Sequence, residues 1–155
     1  MKFTHKDLVR IAKDWALGRH NLVINERGAG IEIPDVMAFS YDYTTLIEVK
    51  ISRSDFYRDK KKAARRYADI CMGNYRIYCV PKGLLTYDDI PETWGLLEVN
   101  ENGIARLKVN LYKHQQGAIW WHEKTVKSMK FEQHILLNHI LFPRKLLTPT
   151  QEEEK

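Results

Sequence analysis

Residues 48–60 read Glu48-Val49-Lys50-Ile51-Ser52-Arg53-Ser54-Asp55-Phe56-Tyr57-Arg58-Asp59-Lys60, and the first three decide how the chain folds around its chemistry. They close a run, Thr44 to Ile51, whose Leu46, Ile47, Val49 and Ile51 read as a strand. Side chains alternate along a strand, so Glu48 and Lys50 share one face and Val49 takes the other. An acid and an amine sent into the same face of an apolar strand need a reason. Toward the N-terminus, Pro34-Asp35 lies in another strand-like segment, Ile31 to Phe39, with the loop Ser40-Tyr41-Asp42-Tyr43 between the two. A hairpin near that register brings Asp35 beside Glu48, with Pro34 tolerated at a bulge or an edge.

Two carboxylates so placed make a hard oxygen site. Mg²⁺ is held by one or two carboxylates, keeps waters and completes its shell with phosphate oxygens. The Val49 carbonyl supplies a further ligand, and Mn²⁺ suits the same donors. Such an ion polarises a phosphoryl oxygen and acidifies a bound water. The Lys50 ammonium then orients that water or neutralises charge on the phosphate. Nucleophile, electrophile and charge stabilisation are together the minimum for phosphodiester hydrolysis.

Toward the C-terminus, Ser54 starts a helix that runs to Gly73-Asn74, with Asp55 against its positive end. Phe56, Ala63, Tyr67 and Ile70 form its apolar stripe, and Arg58, Lys61, Lys62, Arg65 and Asp69 fall on another face. Between Lys50 and Arg66 eight basic residues stand against two acids, Asp55 and Asp59, in a chain whose net charge is +5. The basicity is therefore local, as an electrostatic footprint for a polyanion would be. Ser52, Arg53, Arg58, Lys61, Lys62 and Arg65 are the candidate contacts to a DNA backbone, Ser52 to Ser54 by side chain and backbone N–H.

The remaining elements are read from periodicity. Thr4 caps a first helix, with Asp7 in a weak capping box and Leu8, Ile11, Ala12, Trp15 and Ala16 at helical spacing up to Gly18. Asn21 to Glu26 is a short strand. Tyr75 to Val80 is a fourth strand, Leu96 to Val99 and Ile104 to Val109 pair around Asn102-Gly103, and Thr125 to Phe142 is a last helix. The order is helix, three strands, helix, strand, hairpin, helix. A strand-helix-strand unit in the middle implies a right-handed crossover and a mixed sheet with helices packed on it, an α/β fold.

Pro34-Asp35 followed by Glu48-x-Lys50 resembles the signature of the PD-(D/E)XK nuclease superfamily. The longer run Glu48 to Lys60 is similar to the EVKxSRxDFxxDxK pattern of MmcB-type DNA repair proteins. Tyr67 and the Tyr75 to Pro81 strand, with its closing proline, are similar to the continuation of that family's pattern. The likeness spans about residues 22 to 100. It implies a restriction-endonuclease-like core, a mixed β-sheet flanked by α-helices, with the metal at Asp35 and Glu48. It also implies an upstream acid, for which Glu26 stands in the right order although it falls on a strand.

Each of these residues has a plainer reading. Asp35 is also a common turn residue after proline. Glu48 and Lys50 also suit the solvated face of an edge strand, Glu26 an exposed salt bridge, and the basic run a solvated helix face. The six histidines offer no metal set: His134 and His139 are five apart, and His114 and His122 lack matching partners, so all read as structural or solvent-facing. Trp120-Trp121 reads as core or subunit contact before a base-stacking platform.

The sequence thus favours a metal-dependent DNA endonuclease or DNA-processing enzyme of repair or recombination type, with Asp35, Glu48, Lys50 and Glu26 in its chemistry. Its expected partners are DNA, branched or damaged forms included, and a second copy of the chain. The rivals are a DNA-binding module that retains the fold without catalysis, and an interaction domain built on Trp120-Trp121 and Ile135 to Leu141. The 155 residues, 44% hydrophobic and 29% charged, suit one domain over 1–147 and a polar tail over 148–155. No 18-residue apolar run and no apolar signal core is present, and Cys71 and Cys79 form no disulfide framework. Those features point to a reduced, cytoplasmic protein. Gly-rich phosphate loops and nucleophile elbows are absent from the sequence.

Overall fold

The alternation that separates Val49 from Glu48 and Lys50 also builds the molecule. In the computed structural model, which describes residues 2–28, 32–62, 65, 70–91, 93–108 and 121–143, nine elements follow in chain order. They are α1 (His5–Leu17), β1 (Leu22–Asn25), β2 (Val36–Phe39), β3 (Thr44–Val49), α2 (Arg53–Asp59), β4 (Tyr75–Pro81), β5 (Gly95–Val99), β6 (Ala105–Leu107) and α3 (Val126–Leu141). The six strands lie side by side in sequence order. The β1–β2, β2–β3 and β5–β6 pairs are antiparallel, and β3–β4 and β4–β5 are parallel. The chain is of the expected α/β class, a mixed β-sheet flanked by helices.

Two apolar layers cover the sheet, and period two assigns each strand residue to one of them. Val36, Ile47, Val49, Ile77, Cys79 and Leu97 pack with Leu8, Ala12, Trp15 and Ala16 of α1. Met37, Leu46, Tyr78, Val80 and Leu96 pack on the other face with Phe56 of α2 and Ile135 of α3. Every residue of β3 is buried, so it is a central strand and not an edge. That removes the edge-strand reading of Glu48 and Lys50.

Element ends depart from the periodicity where local chemistry intervenes. The β2 ladder starts at Val36 and not at Ile31, because Pro34 has no N–H to give it. Helix α2 is capped by Ser52, whose side chain accepts from the Asp55 N–H; Ser54 is inside the helix and is not its cap. Regular helix breaks after Asp59, where the chain turns through Lys60–Lys62; Arg65 is helical again, and residues 66–69 of the expected run to Gly73 lie outside the described residues. Ala63, Arg66, Tyr67 and Asp69, like Ile31, Val109, His114, Trp120 and the 148–155 tail, lie outside the described residues. Gly73 sits at φ 84, where a Cβ would meet the Tyr75 carbonyl at 2.8 Å and the Leu46 Cβ at 3.0 Å, so the turn into β4 needs glycine.

At the opposite end from the candidate site, buried Glu132 of α3 accepts from the Gly73 N–H, the Thr44 hydroxyl and Lys124 Nζ, which pins that helix to the sheet. Both cysteines are buried and unbridged. Among the described residues no helix is long and apolar enough to cross a membrane.

Helix α1 is anchored by a complete capping box: the Asp7 N–H donates to Thr4 Oγ1 at 3.1 Å and the Thr4 N–H to Asp7 Oδ2 at 2.9 Å. The backbone N–H and the hydroxyl of Thr4 hold the Asp7 carboxyl below its usual range. Thr4→Ala is expected to lower unfolding free energy by about 1 kcal/mol in urea denaturation, since the N-terminal end of the helix loses its side-chain acceptor.

Candidate active site

The antiparallel β1–β2–β3 meander and the parallel β3–β4–β5 run gather several loops at one end of the sheet. The C-terminal end of β3 lies beside the start of β2 and the end of β1, and Lys50 follows directly. Asn25 pairs with Val36 and Val36 with Ile47, which places Glu26, Asp35 and Glu48 at this end together. The Glu26 N–H donates to the Asp35 carbonyl at 3.0 Å. Carboxyl ends of parallel strands are where open α/β sheets bind ligands.

Asp35 closes the hairpin as the strand spacing requires: its Oδ2 accepts the Val49 N–H at 2.8 Å. A strand residue sends its N–H and C=O to the same side, so the Val49 carbonyl leaves toward Asp35 as well. This role excludes Asp35 as a mere turn residue. Its Oδ1 faces His5 Nε2 at 3.3 Å. His5, its side chain 41% exposed, reaches the edge of the site from the start of α1; by sequence it reads, like the other histidines, as structural or solvent-facing. His20 fits that expectation, bridging the Ala16 carbonyl and Thr45.

Glu48 is 2% exposed and Lys50 5%. Their side chains share the α2 face: Lys50 Nζ lies 3.4 Å from Glu48 Oε2 and 3.2 Å from Asp59 Oδ1. Asp59, 1% exposed, is the hub. It takes Lys50, Lys62 Nζ at 3.1 Å, Arg65 Nε at 2.9 Å and the Tyr78 hydroxyl at 2.7 Å. Arg65 also reaches Glu48 Oε1 at 3.3 Å and Glu32. The result is an interleaved buried chain, Glu32–Arg65–Asp59–Lys50–Glu48, in which each cation lies between carboxylates. Neither Glu32 nor Asp59 stood out in the sequence as a site residue.

The electrostatics separate the acids. Burial, with the charge of Asp35 adding to it, raises the Glu48 carboxyl to about 8 despite Arg65 and Lys50. Burial opposes charge at Asp59 too, but Arg65, Lys50 and the Tyr78 hydroxyl outweigh it and hold that carboxyl at about 2. Burial also works against the Lys50 ammonium, yet Glu48 and Asp59 raise its pKa, so it stays charged. One carboxyl is thus protonated near neutrality beside a second acid, and a fixed ammonium lies next to both.

The donors for a hard divalent cation would be Glu48, Asp35 and the Val49 carbonyl. Glu48 Oε1 is buried, and although Arg65 is near, it receives no hydrogen bond. Its neighbour Asp35 is an acid whose charge it feels. Two carboxylates and a carbonyl suffice for Mg²⁺ when substrate and water complete the shell. Among the described residues no cluster of three or more His, Cys, Asp or Glu side chains could hold a metal. Glu26 stands at φ 55, a left-handed conformation uncommon for a residue with a Cβ. It lies just past β1, not on it.

The proposed DNA contacts divide. Arg65 is turned inward, its side chain 7% exposed and paired with three acids, so it is not part of an open basic face. The chain turns away after Asp59, and the helical wheel that put Arg65 beside Lys61 no longer applies. Arg53 is tied to Asp89 by two bonds of 2.8 and 3.2 Å and to the Tyr57 hydroxyl. Ser52 is committed to its cap. Arg58, beside Asp55 at 3.6 Å, and Lys61 and Lys62 remain outward. A groove of about 1230 Å³ runs along the same end of the sheet, and Lys2 and Lys82 line it with Ser52. Those two lysines are far from the basic run in sequence and could be placed only by the fold. Trp121 is 43% exposed and meets Tyr75 edge-on at 5.6 Å, so it is not a core residue.

No family model matches the chain, and no curated protein matches it. Among solved structures it is similar to the SPO1766 protein of unknown function from Silicibacter pomeroyi, with a TM-score of 0.63 and 17% identity over 96% of this chain and 100% of that one. At that identity the likeness is one of fold alone.

Proposed function

We propose that the chain is a Mg²⁺- or Mn²⁺-dependent DNA nuclease of repair or recombination type, hydrolysing phosphodiester bonds at the β3 end of the sheet. The observation that carries this reading is that Asp35, holding the Val49 N–H, lies near enough to Glu48 for its charge to act there, with the Lys50 ammonium beside Glu48. Asp35, Glu48 and the Val49 carbonyl would hold the ion. Bound there, the ion would polarise a phosphoryl oxygen and acidify a water. Lys50 is kept cationic by Glu48 and Asp59, so its part is to orient the water and offset charge on the phosphate, not to take a proton. Glu48, its carboxyl raised to about 8 by burial, would have to be deprotonated to hold the ion. The strand backbone lies along the groove of Lys2 and Lys82, with Arg58, Lys61 and Lys62 as outer contacts.

A second reading, a DNA-binding module that keeps the fold without catalysis, is favoured by one observation. Arg65 and Lys50 already lie against both oxygens of Glu48, as an internal substitute for a metal. A cleavage assay on plasmid, flap and branched DNA with Mg²⁺ or Mn²⁺ separates the two. The nuclease reading expects Asp35→Ala, Glu48→Gln and Lys50→Ala each to lose about 100-fold or more of the rate. Equal cleavage by wild type and variants, or salt-dependent DNA binding with no cleavage at all, overturns it.

A further inference from the structure

A second cavity, of about 600 Å³, lies behind Arg65 on the α2 face of the sheet. Among the described residues its walls are cationic and aromatic: Lys60, Arg65 and Arg76, with Trp94 and Trp121. Tyr78 is shared with the buried ion chain, since its hydroxyl holds Asp59. Arg65 is the other shared element; its guanidinium stacks on Trp94 at 4.8 Å while reaching Glu48. The cavity and the carboxylate pair are thus opposite sides of one wall.

Arg76 is the residue the fold leaves unexplained. It is 8% exposed on β4, and its Nε donates to the Met72 carbonyl at 3.0 Å, yet its Nη2 is buried without a hydrogen-bond partner. Cys71 is its side-chain partner inside the fold, and the acid whose charge it feels, Glu32, makes its close contact with Arg65 instead. Burial pulls the Arg76 pKa down, as expected of a cation short of counter-charge. Leaving a buried guanidinium donor unmade is costly, and in native structures such a group asks for a ligand. Lys60, which points along the Phe56 ring at 4.8 Å, adds a further positive charge at the wall. Glu123 is the acid lining the cavity, and it accepts from Trp121 Nε1. A planar fork with spare donors matches a phosphate. The volume exceeds what a bare phosphate fills and lies in the range of a nucleotide-sized ligand.

We infer that this cavity binds a phosphate monoester carried on a nucleotide, the phosphate on Arg76 and Lys60 and the base against Trp121, since Trp94 is already stacked on Tyr78 and covered by Arg65. The inference rests on the nuclease reading and refines its substrate class: a strand with a phosphorylated end, seated behind the site that cuts. Terminal strand phosphate, free nucleotide and inorganic phosphate share the recognised chemistry, and the test distinguishes them.

The full chain is titrated in EDTA with 5′-phosphorylated, 3′-phosphorylated and unphosphorylated single-stranded oligonucleotides, followed by calorimetry and tryptophan fluorescence. Thymidine monophosphate and inorganic phosphate serve as competitors. One phosphorylated end is expected to bind about tenfold more tightly than the hydroxyl end. Arg76→Gln is expected to erase the preference. Lys60→Ala, on an exposed residue and therefore safe for the fold, is expected to reduce it. Asp35→Ala leaves it intact, so the end preference reports on the cavity alone, whatever becomes of cleavage. Equal affinity for all three ends, or a preference that survives both Arg76→Gln and Lys60→Ala, overturns the inference. So does inorganic phosphate competing as well as the mononucleotide, because the aromatic wall then contributes nothing.

Discussion

Asp59→Ala lowers the unfolding free energy by about 3–5 kcal/mol, the scale of removing one partner from a buried ionic network. Asp59 holds Lys50, Arg65 and Tyr78 in a layer where its own side chain has no contact with water. Deleting it leaves the Lys50 ammonium and the Arg65 guanidinium without their shared counter-charge, with Glu48 and Glu32 as the remaining close acids and Glu48 itself raised to about 8. Asp59→Asn keeps an oxygen for the Tyr78 hydroxyl but loses the charge, and is expected to fall between the wild type and the alanine variant. Urea denaturation followed by circular dichroism at pH 7 measures both. A loss below about 1 kcal/mol for the alanine variant, the scale of an exposed ion pair, would mean that the network is not buried as described.

Between pH 5 and pH 9 the metal-free chain loses stability on account of Glu48. Its folded-state value, about 8, lies above the ordinary carboxyl value, so the folded chain binds this proton more tightly than the unfolded chain does. The contribution is fully present below the ordinary value and fades as pH rises through about 8. The slope it gives reaches at most about 1.4 kcal/mol per pH unit, one proton's worth. The groups facing it are Asp35 and Asp59, which raise its pKa, and Arg65 and Lys50, which lower it. Asp59 acts in a separate window. Its depressed value contributes stability above the ordinary carboxyl range, and that is lost as pH falls toward about 2. Glu48→Gln removes the alkaline slope, so the variant gains on the wild type from pH 6 to pH 9. Parallel urea midpoints at pH 5, 7 and 9 in EDTA check this; a wild-type slope that persists unchanged in Glu48→Gln counts against the assignment.

The pattern around Glu48-Val49-Lys50 was legible because it depends only on strand period and on one hairpin. Both are local, and both survive: Glu48 and Lys50 do share a face, and Asp35 does reach the end of β3. Element order was legible for the same reason. The break in the second helix was not, since the periodicity of its basic and apolar residues runs straight across Lys60–Lys62, where the backbone turns before helical Arg65. The surface role assigned to Arg65 failed with it. Also beyond local reading were the internal partners of Arg53 and Ser52, Asp89 and the Asp55 N–H.

By itself the sequence determined which side chains alternate into which layer, where the strand ends meet, and that an acid pair and an amine arise there, because covalent geometry and hydrophobic patterning act over a few residues. Only the tertiary structure decided that His5, Glu32, Asp59 and Arg65 join them, that Glu48 is driven up to about 8, and that Arg76 is buried with a donor to spare. Those outcomes depend on desolvation and on charges brought close from distant parts of the chain. Neither quantity exists until the sheet and its helices have excluded water from the space between them.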